Sequence, residues 1–184
     1  MGIRWHRRPV RSSAGRAGRR RTAKRLRKAG LLLVVTAALA LPMQALAGDQ
    51  VPLKGWDSGS FTLQEHGCGT GVFAVVIDDA GMATHVGAYA YHADECFNGA
   101  TGAFSGTFTI TAANGDTISG TYAGTVVGGA GDLAFYEQEA VITGGTGRFA
   151  GASGGFDLSG IANLASLESS QWISGAVSSP GSLK

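Results

Sequence analysis

The sequence predicts an all-β protein, an eight-stranded antiparallel up-and-down barrel preceded by a cleaved leader. Three observations predict it. Apolar and polar residues alternate in short runs over most of the chain, the period of half-buried strands. Glycine, asparagine and aspartate punctuate those runs at the spacing of tight turns. Of the 30 glycines, 26 lie after residue 47, in a stretch also rich in Thr, Ser and Val.

The leader comes first because it alters every bulk property. Residues 1–29 hold twelve of the 15 basic residues and no acid. The apolar run from Leu31 to Leu41 follows, Pro42 breaks it, and Ala45-Leu46-Ala47 supplies the small residues that signal peptidase requires. That order is a secretory signal peptide with a long basic n-region, and its apolar run is too short to span a bilayer. Cleavage is expected after Ala47, leaving residues 48–184 as one domain. Arg19-Arg20-Arg21 keeps a twin-arginine route open, but the Phe-Leu-Lys portion that usually follows the pair is missing, which favours the general route. A nucleic-acid-binding arm is disfavoured by the position of the basic block directly ahead of the apolar run.

Removing the leader inverts the charge. Only Lys54, Arg148 and Lys184 remain against all 13 acids, a formal net charge of −10 for residues 48–184. Such a surface repels phosphate backbones and anionic headgroups, so nucleic acid is excluded as a partner and no membrane span is expected. The expected location is secreted or periplasmic.

Strands are expected over Ser60–Glu65, Val72–Asp78, Ala83–His92, Ala103–Ala112, Thr117–Val127, Leu133–Thr143, Gly155–Ala162 and Glu168–Ser178. Turns are expected at Asp79-Ala80-Gly81, Asn98-Gly99, Asn114-Gly115-Asp116 and the glycine-rich stretch 128–132. Asn114-Gly115 is the strongest hairpin signal. Strands that follow one another through tight turns suit a closed barrel, which leaves no sheet edge exposed.

Parity assigns the faces. Phe104, Gly106, Phe108 and Ile110 share one side, as do Ile118, Gly120, Tyr122 and Gly124, and Phe156 with Leu158. Phe104, Phe108, Tyr122, Phe135 and Phe156 are therefore the candidate lining of the barrel. Aromatics alternating with glycine either fill the taper of a small barrel or leave a slot for an apolar ligand, and eight strands sit at the size where both occur.

Between the sixth and seventh runs lies ITGGTGRFAGASG, Ile142 to Gly154. It reads as a structural corner built on Gly144, Gly145 and Gly147 around Arg148 and Phe149, with Phe149 expected as a plug under the sheet. Gly145 to Ala150 also matches a dinucleotide fingerprint, but the required helix cannot start at Gly151-Ala152-Ser153. Ser153 sits in a G-x-S-x-G, yet all four histidines precede it and no helix follows, against the order of a hydrolase triad.

The chain resembles the bacterial branch of the allene oxide cyclase/dirigent-like β-barrels. The resemblance is carried by Ala83-Thr84-His85-Val86-Gly87, by the hairpin Ala113 to Thr117, by the corner Ile142 to Ala152 and by the terminal stretch Gly175 to Gly181. It implies an exported, calycin-like barrel of eight strands, a monomer or a homotrimer as in plant relatives. Those relatives cyclise an oxylipin epoxide or steer phenoxyl radical coupling, and none of their functional residues maps onto this chain.

Few residues remain for chemistry. Cys68 and Cys96 are the only cysteines, and an even count in an exported domain favours a disulfide over a metal site with His66. His85 and His92 fall on opposite sides of an expected strand. Glu137 and Glu139 share a parity with Phe135; they form either an acidic outer face, the favoured assignment, or a pair of inward carboxylates. Tyr89 and Tyr91 read as barrel lining or surface aromatics. No metal or cofactor is expected.

Two functions stand. The favoured one is a non-catalytic module that binds a small apolar molecule or assembles through its outer face, because no motif places an acid, base or nucleophile. The other is an isomerase or cyclase that acts on a hydrophobic oxygenated substrate inside the barrel, where confinement alone selects a conformer.

Overall fold

A computed structural model describes residues 49–178. The leader assigned to residues 1–47, its cleavage site, and residues 179–184 with Lys184 lie outside the described residues. The strands are β1 (Gln50–Gln64), β2 (Val72–Ala83), β3 (Gly87–Asn98), β4 (Ala103–Ala112), β5 (Thr117–Ala130), β6 (Leu133–Gly145), β7 (Gly154–Asn163) and β8 (Glu168–Ser178). Each pairs antiparallel with the next, and β1 pairs with β8 to close an eight-stranded barrel. Closure gives every strand two partners, so the polar backbone of a chain with short apolar runs is satisfied without a covering layer.

Alternation along the strands divides inside from outside as expected. Phe108, Ile110, Ile118, Tyr122, Phe156 and Leu158 are buried, and the threonines and serines between them face outward. The inward glycines are seats for rings. A Cβ at Gly120 would strike the Phe108 ring, one at Gly124 the Phe104 ring, and one at Gly160 the Tyr136 ring. The Gly120–Phe108 seat lies in the half of the barrel at the start of β1, which is closely packed. Phe108 meets Phe156 edge-on at 5.2 Å between centroids and stacks on Tyr91 at 6.2 Å.

The corner caps that filled end. Gly147–Phe149 forms one 3-10 turn, and Phe149 is 2% exposed within the same buried cluster as Val86, Ile118 and Ile142. Gly144 and Gly145 are the last residues of β6 and not part of the turn. Gly145 is needed for space, since a Cβ there would press on the Phe149 carbonyl at 2.8 Å. Gly147 has φ +56°, which disfavours other residues. Arg148 donates to the Val86 carbonyl at 2.7 Å, lies 3.7 Å from Asp116 and stands 4.7 Å over the Phe149 ring, so it ties three turns together.

Several boundaries differ from the expected ones, most of all at β1, at the end of β2 and in β3, which runs Gly87–Asn98 where Ala83–His92 was expected. β1 begins at Gln50, ten residues before the expected Ser60, because Leu53 and Asp57 continue the inward parity of Phe61. Asp79-Ala80-Gly81 is not a turn but the middle of β2. Gly81 is small there because it lies directly opposite Asp57 on the paired strand β1, where a Cβ would meet the Trp56 carbonyl and Asp57. The reversal comes at residues 84–86, with His85 at φ +63°. His85 is thus a turn residue and not a strand partner of His92.

Candidate ligand cavity

The other end of the barrel is not filled. A cavity of about 440 Å³ opens between the 65–71 loop, the 99–102 turn, the β5–β6 turn and the β7–β8 loop. This is within the size range of small-molecule sites. Its walls follow from inward parity on neighbouring strands: Phe61 and Leu63 on β1, Phe73, Val75 and Ile77 on β2, Phe97 on β3, Phe104 on β4 and Val126 on β5. The disulfide joins Cys68, in the loop at this mouth, to Cys96 on the outer side of β3. Bonded to each other, neither cysteine is a thiolate ligand for metal, so the rival cluster with His66 is overturned.

The floor is polar. Glu95, Tyr136, Gln138, Ser169 and Gln171 face the cavity from three strands, β3, β6 and β8. The Tyr122 hydroxyl donates to Glu95 Oε2 at 3.0 Å, and the Tyr136 hydroxyl to Gln171 Oε1 at 3.0 Å. Gly106 lies between Glu95 and Tyr122 in the sheet register and leaves the phenol room to reach the carboxyl. Behind Ser169, whose hydroxyl donates to Asp79 at 3.1 Å, Asp57 accepts from the Tyr89 hydroxyl at 2.6 Å. Asp57 Oδ1, Gln138 Nε2 and Gln171 Nε2 lack a well-formed hydrogen bond among the described residues. Electrostatically the amides still act downward, Gln171 favouring ionised Asp57 and Gln138 doing the same for Tyr91.

Burial dominates the acid–base character of this belt. It pushes the Glu95 carboxyl up to about 7 against the opposing hydrogen bond from Tyr122. Asp79 is also pushed up to about 7, by burial first and then by the charge of Asp57. Asp57 is raised by burial as well. Tyr89, Tyr91, Tyr122 and Tyr136 are raised by burial and by the nearby carboxylates, so these phenols stay protonated, and Tyr89, Tyr122 and Tyr136 act as donors. Near neutrality the floor therefore holds a carboxyl, Glu95, that can gain or lose a proton.

Of the five residues expected to line the barrel, Phe104 alone lines the cavity wall. Phe108 and Phe156 belong to the filled end, and Tyr122 is buried with only its hydroxyl reaching Glu95. Phe135 is corrected to the outer face. Tyr136, Gln138 and Ala140 take the inward positions of β6, which sends Phe135, Glu137 and Glu139 outward. Glu137 and Glu139 are exposed, the favoured of their two assignments. Tyr89 and Tyr91 are buried. His92 is exposed on the outer face, its pKa raised chiefly by the hydrogen bond to Asp78 at 2.7 Å.

Glu95, Asp57, Asp79, Gln138 and Gln171 went unnoticed in the sequence. A signal existed for Glu95: in the alternation Tyr89, Tyr91, Ala93, Glu95, Phe97 it is a carboxylate on an otherwise apolar face. Asp79 was hidden by the turn reading of its neighbours.

No family model and no curated protein matches the chain. Solved structures do. The pterocarpan synthase dirigent protein PsPTS1 is 14% identical with a TM-score of 0.51, over 71% of this chain and 96% of that one. The pterocarpan synthase dirigent protein GePTS1 is likewise 14% identical with a TM-score of 0.51, over 77% and 91%. The chain has the dirigent-like barrel fold. At this identity the likeness concerns the fold, and the dirigent-like barrel described here must be read for function from its own cavity. Among the described residues no helix is long and apolar enough to cross a membrane.

Proposed function

We propose that this protein is an exported dirigent-like barrel of the bacterial, calycin-like branch that binds a small, mainly apolar molecule in its open end without transforming it. The carrying observation is the 440 Å³ cavity with apolar walls at one end of a barrel whose other end is packed solid. A barrel that only needed a core could fill both ends with the aromatic and glycine pairs it already uses. Here the large side chains beyond the polar belt, Phe61, Phe73 and Phe97 among them, line a cavity instead of closing it, and they expose apolar surface that water covers at a cost of roughly 25 cal/mol per Å². A ligand that removes this surface from water is held by the same effect that holds the core. The disulfide beside the mouth supports work outside the reducing cytoplasm. Organic extraction of the purified native protein followed by mass spectrometry should recover a stoichiometric apolar compound. The same extraction from a variant with a blocked cavity, Val126→Trp, should recover none. Equal recovery from both would defeat the assignment to this cavity.

A second reading is an isomerase or cyclase for a hydrophobic oxygenated substrate. It is favoured by one observation, the Glu95 carboxyl facing the cavity with a pKa pushed up to about 7, which suits a group that moves protons at neutral pH. Conversion of an extracted compound by added protein, absent in Glu95→Gln, would establish it over simple binding.

A further inference from the structure

We propose that the cavity selects for positive charge: its ligand is an apolar amine that enters ammonium first and pairs with Glu95. This rests on the ligand-binding reading above and specifies its chemistry. The first argument is the charge inventory. Among the described residues Glu95 is the one ionisable acid or base, phenols aside, on the cavity surface. The next charges beneath the floor, Asp79 and Asp57, have the same sign. The described lysine and arginine belong to the filled end, Lys54 at the start of β1 and Arg148 in the corner contact with Val86 and Asp116, and His66 in the mouth loop is not among the residues that line the cavity.

The second argument is what Glu95 lacks. Its side-chain hydrogen bond comes from a neutral phenol, Tyr122, and burial outweighs that bond in raising its pKa. An anionic head would add repulsion in a site of low dielectric, and an alcohol or ketone would supply no counter-charge. An ammonium supplies both a counter-charge and N–H donors, and charge-assisted hydrogen bonds are about twice as strong as neutral ones.

The third argument is the aromatic surround. Phe104 meets Tyr136 edge-on at 6.0 Å and Tyr122 at 6.3 Å, and Phe97 follows two residues after Glu95 on the same inward face. Ring faces attract ammonium groups, more strongly when water is excluded. A carboxylate set among aromatic rings at the base of an apolar well fits an alkyl or aryl amine.

The test is calorimetric titration of the native chain with decylamine, decanol and decanoic acid below their aggregation concentrations, at a pH of about 8, where Glu95 is ionised and the amine protonated. The inference expects decylamine to bind about tenfold or more tightly than decanol, with decanoic acid weakest, in keeping with one added charge-assisted pair. In Glu95→Gln that preference should collapse while decanol binding is retained. In the outer-face double variant Glu137→Gln, Glu139→Gln the preference should persist, because general attraction to an acidic surface is not its origin. Decanol equal to decylamine, or a preference lost in the outer-face variant and kept in Glu95→Gln, overturns the inference and leaves cavity binding standing. Failure of all three ligands to bind overturns the inference together with the binding reading beneath it.

Discussion

Replacing Glu95 by glutamine should make the barrel more stable, and only at high pH. The carboxyl has a folded-state pKa of about 7 against an ordinary value of 4.5, because burial penalises its charge. A group whose pKa rises on folding binds its proton more tightly in the folded state. Its contribution is intact below pH 4.5 and is lost progressively as the pH rises to about 7. A shift of that size corresponds to at most about 3 kcal/mol at 1.36 kcal/mol per unit, and water in the open cavity lowers it. The amide removes the charge and keeps an oxygen for the Tyr122 hydroxyl, so packing and the hydrogen bond at 3.0 Å survive. Urea unfolding of both proteins at pH values of about 4 and about 8.5 measures the difference. Asp79 has the same direction of shift, so both proteins should lose stability as the pH rises, the variant by less. A stability difference independent of pH, or a variant less stable at the higher pH, would refute the burial argument for Glu95.

At the corner, Phe149→Ala should cost roughly 3–5 kcal/mol in denaturant unfolding by opening a cavity at a fully buried position. Arg148→Ala should cost less, about 1–3 kcal/mol for its charged hydrogen bond to the Val86 carbonyl; the opposite ranking would show that the corner is not a plug. Gly147→Val should lower the thermal midpoint markedly because of its φ of +56° and the Asp116 side chain beside it, and an unchanged midpoint would contradict the turn geometry. Reducing Cys68–Cys96, which lie 28 residues apart, should destabilise the domain by about 3.5 kcal/mol in the chain-entropy account. Thiol titration of the unfolded, unreduced protein should find no free groups. N-terminal sequencing of exported material should begin at Gly48; retention of the arginine block would overturn the export proposal.

The sequence by itself determined the barrel. Period-two alternation specifies which side chains point inward without reference to any distant residue, and a hairpin turn needs only its own few residues, so strand order and most faces were legible. Phe149 as a plug and the Cys68–Cys96 pairing were legible for the same reason: each rests on a local pattern or on elimination among few residues. The limits of local pattern show at Asp79, where a Gly81 required by the close approach of the paired strand β1 looks identical in sequence to a turn glycine. Phe135 shows it again, since alternating residues on both parities of β6 carry aromatic and polar groups and only the strands on either side decide which set is inside.

The polar floor as an assembled set belonged to the tertiary structure, although the alternation around Glu95 marked that residue and Phe104 was legible as lining. Glu95, Gln138, Ser169 and Gln171 come from β3, β6 and β8, and beyond the shared face of Ser169 and Gln171 nothing in their spacing along the chain relates them. Closure of the barrel brings them to one level, removes Glu95 from water and so moves its proton affinity toward neutrality. Whether the interior was filled or hollow was likewise undecidable from aromatic and glycine counts, because the answer is both: rings seated on glycines fill the end under the corner, and the other end keeps the space that the same pattern could have closed. Parity is a property of one strand, whereas a cavity is the volume left over when eight of them meet.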